Sequence, residues 1–335
     1  MCKKTDVSEK ILRTFGLERL SELSEYKKGD KMFFLPVLTL LSDVSETNPE
    51  ELLNKEFVNY VKNAVIYIKP NTISTVTATT YASFKSDKDR LQNQARQKIF
   101  FEVAKCLGNI SYYSPANSEI LIDNDILSIL LLISNDARDR RTILHTTRSI
   151  SNLSASVKNH KKLIEGGWIQ ILQHWITTEC MRSVTKVRPN KDGLLIHSKL
   201  TILDAQDSNG GELNDLEVFD ETKVLTIISL VGLTNLSSSN LTAAQNQYSN
   251  FFIRDLVEAY KNDQHHNVIF QKQLARYLAS LAYHEDLIIN KRLLSQVGVD
   301  GFDRILEEAD EDIIFNVATC FASLTKESSI IFYQF

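Results

Sequence analysis

Residues 142–176 read TILHTTRSISNLSASVKNHKKLIEGGWIQILQHWI. In SISNLS (149–154), Ile150 and Leu153 stand three apart and share one face of a helix, with the small Ser149 beside them. A short polar helix follows and stops at a Gly-Gly pair, after which an apolar helix opens at Trp168. Gly tolerates a left-handed backbone, so Gly167 ends the short helix. The stretch reads as a long helix, a short helix, a break and another helix.

The pattern recurs. CLGNIS (106–111), SISNLS (149–154), GLTNLS (232–237), YLASLA (277–282) and CFASLT (320–325) align on Asn109, Asn152, Asn235, Ser280 and Ser323. The spacings are 43, 83, 45 and 43 residues, the second being one period plus an insert of about 40. Two residues before the aligned position stand Leu107, Ile150, Leu233, Leu278 and Phe321; one after it stand Ile110, Leu153, Leu236, Leu281 and Leu324. Three before it the residue is small in four cases (Cys106, Ser149, Gly232, Cys320), with Tyr277 the exception, so that neighbouring helices approach closely. Fifteen residues on come Asn124, Gly167 and Asn250, with Gly298 three later in the fourth repeat; each is expected to end a short helix.

Composition agrees. The 335 residues carry 11 Gly and 5 Pro, too few breakers for the turns of a sandwich or barrel. A net charge of −4 argues against a nucleic-acid binder. Cys2, Cys106, Cys180 and Cys320 lie far apart without a C-x-x-C pair, which points to a reducing compartment. The apolar run Ile126–Ile133 is too short to span a bilayer, so no integral membrane segment is expected. The cytoplasm is the expected location, with mitochondria or nucleus as alternatives. The fold class that follows is all-α, a right-handed α-solenoid.

The repeat resembles the armadillo family, whose units carry an Ala-x-x-Ala-Leu-x-Asn-Leu stretch followed by a Gly-led apolar helix. The resemblance covers about 96–325 and includes the related HEAT-like superhelices in its class. It implies that the last helix of each repeat lines a concave groove, where its Asn fixes the backbone of an extended peptide; Asn109, Asn152 and Asn235 occupy that position. One helical turn earlier stand Lys105, Arg148, Val231, Arg276 and Thr319. Importin-like members carry Trp there and none of the five is Trp, which speaks against a nuclear-import receptor. Seven before the aligned residue come Glu102, His145, Ile228, Gln273 and Asn316. The inferred partner-binding groove is therefore Lys105, Asn109, His145, Arg148, Asn152, Asn235, Gln273 and Arg276. Its cations suit an acidic or phosphorylated extended segment of a protein partner.

No catalytic motif accompanies these columns: there is no G-x-S-x-G elbow, H-E-x-x-H, Walker A or G-x-G-x-x-G. Cys106 and Cys320 share the small packing slot, His160 and His174 have no Cys or carboxylate at metal-ligand spacing, and the His265-His266 pair in KNDQHHN reads as a solvated loop, so neither enzyme chemistry, cofactor nor metal is expected. A second, shorter likeness is to the armadillo-like region of serine-active-site-containing proteins linked to phospholipid remodelling. It rests on Arg148, Asn152, Gly167 and Trp168 and on ARYLASL (275–281). It implies, as the alternative function, a non-catalytic region or truncated form of such a hydrolase. Residues 1–95 read as three helices in ILRTFGLERL (11–20), FFLPVLTLL (33–41) and 52–68, capping the array at 96–335, with 70–95 a Thr/Ser-rich loop. The insert 177–222, basic then acidic, is expected to be mobile. The apolar end SSIIFYQF is read either as covered by a partner or as its own packed helix.

Overall fold

The computed structural model describes residues 4–26, 34–67, 87–112, 114–184, 221–247, 252–261, 267–307 and 309–326. The described residues form two compact units, Met1–Gly166 and Gly167–Phe335. The first contains α1 (Lys4–Tyr26), α2 (Phe34–Thr47), α3 (Lys55–Tyr67), α4 (Asp87–Tyr112), α5 (Pro115–Asp123), α6 (Ile126–Asp136), α7 (Arg140–Leu153) and α8 (His160–Glu165). The second contains α9 (Trp168–Val184), α10 (Glu221–Ser238), α11 (Leu241–Asn246), α12 (Phe252–Lys261), α13 (Val268–Ala282), α14 (Leu287–Leu306) and α15 (Glu311–Lys326).

Within each unit, long helices ending at aligned residues pack on the long helix of the preceding repeat: α4 on α2 and α7 on α4 in the first unit, α13 on α10 and α15 on α13 in the second. The expected columns are the core. Leu107, Ile110, Ile150, Leu153, Leu233, Leu236, Leu278, Leu281 and Leu324 are all buried; Phe321 is the exception at 37% exposed. Side-chain caps start the helices, Ser114 accepting from the Asn117 amide at 3.1 Å, Asp139 from Thr142 at 3.1 Å and Asn267 from Phe270 at 3.0 Å.

The breaks form as the pattern requires at two of the four positions, with a refinement at a third. Gly167 has φ 76° and Gly298, inside α14, has φ 69° and ψ 168°, a region essentially reserved for glycine. Asn124 itself has φ −91°; the left-handed turn falls one residue later on Asp125, at φ 64° and ψ 32°. That is the ordinary left-handed well, which a short polar side chain tolerates. Asn250 lies outside the described residues.

The N-terminal region belongs to the same pattern more fully than its sequence suggests. Gly16 breaks α1 at φ 70° and ψ 156°, as Gly298 breaks α14. Hydrogen bonds then fix the register. Asn109 donates from Nδ2 to Ser45 Oγ at 3.0 Å, Asn152 to Ser111 Oγ at 3.2 Å, and the Ser280 and Ser237 hydroxyls pair at 2.7 Å. In each case the aligned residue of one repeat meets the residue two beyond the aligned residue of the repeat before. Asp43 is therefore the aligned residue of the first repeat, within LLSDVS (40–45), with Leu41 and Val44 fully buried at the two apolar columns.

Two boundaries are corrected. Residues 87–95, expected as loop, are the first turns of α4, because the tract 87–98 is free of Gly, Pro and β-branched residues. Likewise α9 carries on through 177–184 and α10 begins at Glu221, so helix enters both ends of the expected insert. The remainder of the insert, the apolar C-terminal stretch and the His265-His266 pair lie outside the described residues.

Candidate functional site

In the first unit the expected groove residues come together but are engaged with one another. Asn152, 5% exposed, directs Nδ2 to the Gly108 carbonyl at 3.1 Å as well as to Ser111. Asn109 donates to Ser45 and accepts from Arg148 Nη1 at 3.4 Å. The Arg148 guanidinium also lies over the Tyr112 ring, 5.6 Å from its centroid. Lys105 pairs with Glu46 at 2.5 Å. Burial pushes the Glu102 carboxyl above the usual carboxylate range, with Lys105 opposing the shift. His145 is buried, edge-on to Phe101 at 5.4 Å, and its Nδ1 is closed to solvent with no hydrogen-bond partner. Desolvation, then the charges of Arg148, Lys105 and Arg141, lower its pKa to about 3, so the ring is neutral near pH 7. Acids and bases thus alternate here: Asp43, Glu46 and Glu102 lie among Lys105 and Arg148.

In the second unit the same columns build a different surface. Gln273 is buried, at 3% exposure, and Asn235 is half-buried. Arg276 is half-buried and lines an open cleft of about 360 Å³. α10 contributes Thr234 and Ser238 to it, and α15 contributes Asn316 and Thr319. Ala279, Ser280 and the exposed Tyr283 complete it from α13 and its C-cap. Arg276 is the one charged side chain of this lining. One turn earlier, Lys272 is paired with Asp312 and with Asp310 at 3.7 Å. Lys272 holds the Asp312 carboxyl below its ordinary pKa, and Arg276 adds to that pull.

Sequence reasoning did not single out Thr234, Ser238 and Tyr283. They occupy the positions one before and three after the aligned residue, and the +3 column (Glu46, Tyr112, Ser238, Tyr283) was the available signal. Cys106 and Cys320 sit in the core, where burial pushes their thiols up to about 12. Neither is a nucleophile near neutral pH. Among the described residues no group of three His, Cys, Asp or Glu side chains could hold a metal ion, and no helix is long and apolar enough to cross a membrane.

No family model and no curated protein matches the chain. Solved structures do. A designed armadillo repeat protein aligns over 92% of this chain and 99% of its own, at 12% identity and a TM-score of 0.59. A second designed armadillo repeat protein, in complex with the peptide (KR)4, aligns over 92% and 99% at 13% identity and 0.58. A computationally designed armadillo repeat protein for modular peptide recognition aligns over the same shares at 12% and 0.58. These matches lend no support to the serine-hydrolase resemblance. With the buried columns, the glycine breaks and the repeat-to-repeat hydrogen bonds, they show that the chain has an all-α, armadillo-like repeat fold.

Proposed function

We propose that the protein is a non-enzymatic interaction scaffold that captures an extended, acidic or phosphorylated segment of a protein partner on the exposed faces of its long helices. The observation that carries the reading is the open cleft of the second unit, whose lining holds Arg276 as its one charged side chain together with the hydroxyl residues Thr234, Ser238, Ser280, Tyr283 and Thr319 and the amide of Asn316. An arginine in such a setting favours an anionic ligand and disfavours a basic one. The likeness to designed proteins of modular peptide recognition, one of them holding (KR)4, supports a peptide as the occupant. The cation-selecting tryptophans of importin-like repeats are absent from the column of Arg276, in keeping with a ligand of opposite charge. The first unit supplies a supporting surface, since its amides and cations already serve the protein's own packing. We place this action in the cytoplasm, in keeping with the unpatterned cysteines, two of them buried thiols.

The test is fluorescence anisotropy with degenerate nonapeptide pools, one acid-rich, one phosphoserine-rich and one basic, at low and high salt. The acid-rich and phosphoserine-rich pools should bind, weaken with salt, and lose affinity to Arg276→Glu by roughly a hundredfold. Preferential binding of the basic pool, or equal binding by wild type and Arg276→Glu, would remove the reading.

A further inference from the structure

We propose that the exposed apolar face of α15 is the docking site of the chain's own segment 327–335, which covers the last long helix as a following repeat covers the others.

The repeat columns define the face. Nine, five and two residues before the aligned position stand Phe100, Ala104 and Leu107 on α4, and Gln271, Ala275 and Leu278 on α13; all six are buried. Both helices carry the long helix of a following repeat, α7 on α4 and α15 on α13. On α15 the same columns hold Ile314, Ala318 and Phe321, and all three are exposed, Ile314 at 51%. Phe315, beside Ile314, is 71% exposed. A terminal repeat needs no cover when its outer face is polar. This one is apolar along about three turns, and no described helix follows it.

Register and composition point to the occupant. Side-chain caps open the elements that follow α4, α10 and α13: Ser114, Asn240 and Asp286, which stand five, five and six residues beyond the aligned position. Ser328 and Ser329 stand five and six beyond Ser323. Three, four and seven residues past the cap come Asn117, Ser118 and Leu121 in one case and Ile289, Asn290 and Leu293 in another, all of them buried. Counted from Ser328, these positions are Ile331, Phe332 and Phe335. The segment thus has the start signal and the inward columns of a further repeat, with a large apolar residue in each. Burying such residues against Ile314, Phe315 and Phe321 removes apolar surface from water on both sides. Length suffices as well. Ile314 lies about 18 Å along the helix axis from Lys326, where α15 ends. The nine residues that follow span about 30 Å at full extension.

The experiment is a double-mutant cycle in the full chain, read by thermal melting, with Phe315→Gln on the face and Phe332→Gln/Phe335→Gln in the segment. Gln is the better helix former, so on a bare face Phe315→Gln leaves the melting temperature unchanged or raises it. With the segment docked, Phe315→Gln should lower it by about 3 °C, the segment variant by about 5 °C, and the combination by less than the sum. An unchanged or raised melting temperature for Phe315→Gln, or losses that simply add, overturns the proposal. A second arm identifies the occupant. Phe315→Cys/Phe335→Cys, with Cys2 and Cys180 replaced by Ser, is oxidised at low protein concentration and run on a non-reducing gel. A crosslinked monomer is the expected product. A crosslinked dimer would seat a second copy on the face, and no crosslink would leave the face to another protein; either overturns the assignment to the chain's own segment.

Discussion

The same two columns of the repeat produce two unlike surfaces. In the first unit, the residues four before and three after the aligned position meet as Lys105 with Glu46 and Arg148 with Tyr112, and Asn109 and Asn152 bond across to the preceding long helix. In the second unit, the equivalent pairing sets Arg276 beside Ser238, and the aligned residue has shortened from Asn to Ser280. A shorter side chain at the aligned residue and a hydroxyl in place of a carboxylate or ring leave an open cleft. The repeat scaffold is therefore tolerant of its groove-facing columns. Where opposite charges or amides face one another across repeats, they reinforce packing; where the facing side chains are short, a cleft remains.

The sharpest way to break this contrast is to reverse one arginine in each unit. Arg276→Glu should lower the affinity for acid-rich peptides by about a hundredfold. Arg148→Glu should instead lower the melting temperature, losing its contacts to Asn109 and Tyr112. Equal loss of binding in both variants would mean that the two surfaces act alike.

The aligned residues sharpen it next. Asn152→Ala removes two buried hydrogen bonds and should cost about 2 kcal/mol in urea denaturation. Ser280→Ala breaks one hydroxyl pair and should cost about half of that. A reversed order would detach the hydrogen-bond ladder from stability.

Acid should act on the first unit through His145. Its pKa is about 3 in the folded protein against an ordinary value near 6.5, so below pH 6.5 the unfolded chain takes up a proton that the folded ring refuses. Stability then falls by about 1.4 kcal/mol per pH unit between pH 6.5 and pH 3 on this account, and is unaffected by it above pH 6.5. His145→Gln should flatten that part of the profile, read as the difference in unfolding free energy between wild type and variant at pH 7 and pH 5.

The smallest effect is at the glycine breaks, where the units should behave alike. A methyl group at Gly298 meets nothing within 4 Å, so Gly298→Ala reports backbone strain alone, about 1 kcal/mol. Gly16→Ala, at nearly the same backbone angles, should match it.

Much of the fold was legible because burial in a repeat is periodic. Leu107 and Ile110, Ile150 and Leu153, and Leu233 and Leu236 announce the core face of each long helix by spacing alone. The small slot held by Cys106 and Cys320 was legible for the same reason. The first repeat was harder to see because Asp43 replaces Asn or Ser, and because the stretch before α4 pushes its spacing off the period. Among the candidate site residues, Lys105, Arg148 and Arg276 share one column of the repeat, which spacing alone announces. The burial of His145 and Gln273 was not visible, since a polar residue seven before the aligned one reads as solvated until its neighbours are known.

Local chemistry in the chain alone determined which residues form helices, where glycine breaks them and which face each helix buries, because these depend on neighbours within a few turns. Only the tertiary structure decided which side chains each cation faces. That outcome depends on side chains set opposite one another across repeats, such as Glu46 against Lys105 or Ser238 against Arg276. No periodicity within a single helix encodes what the adjacent helix presents.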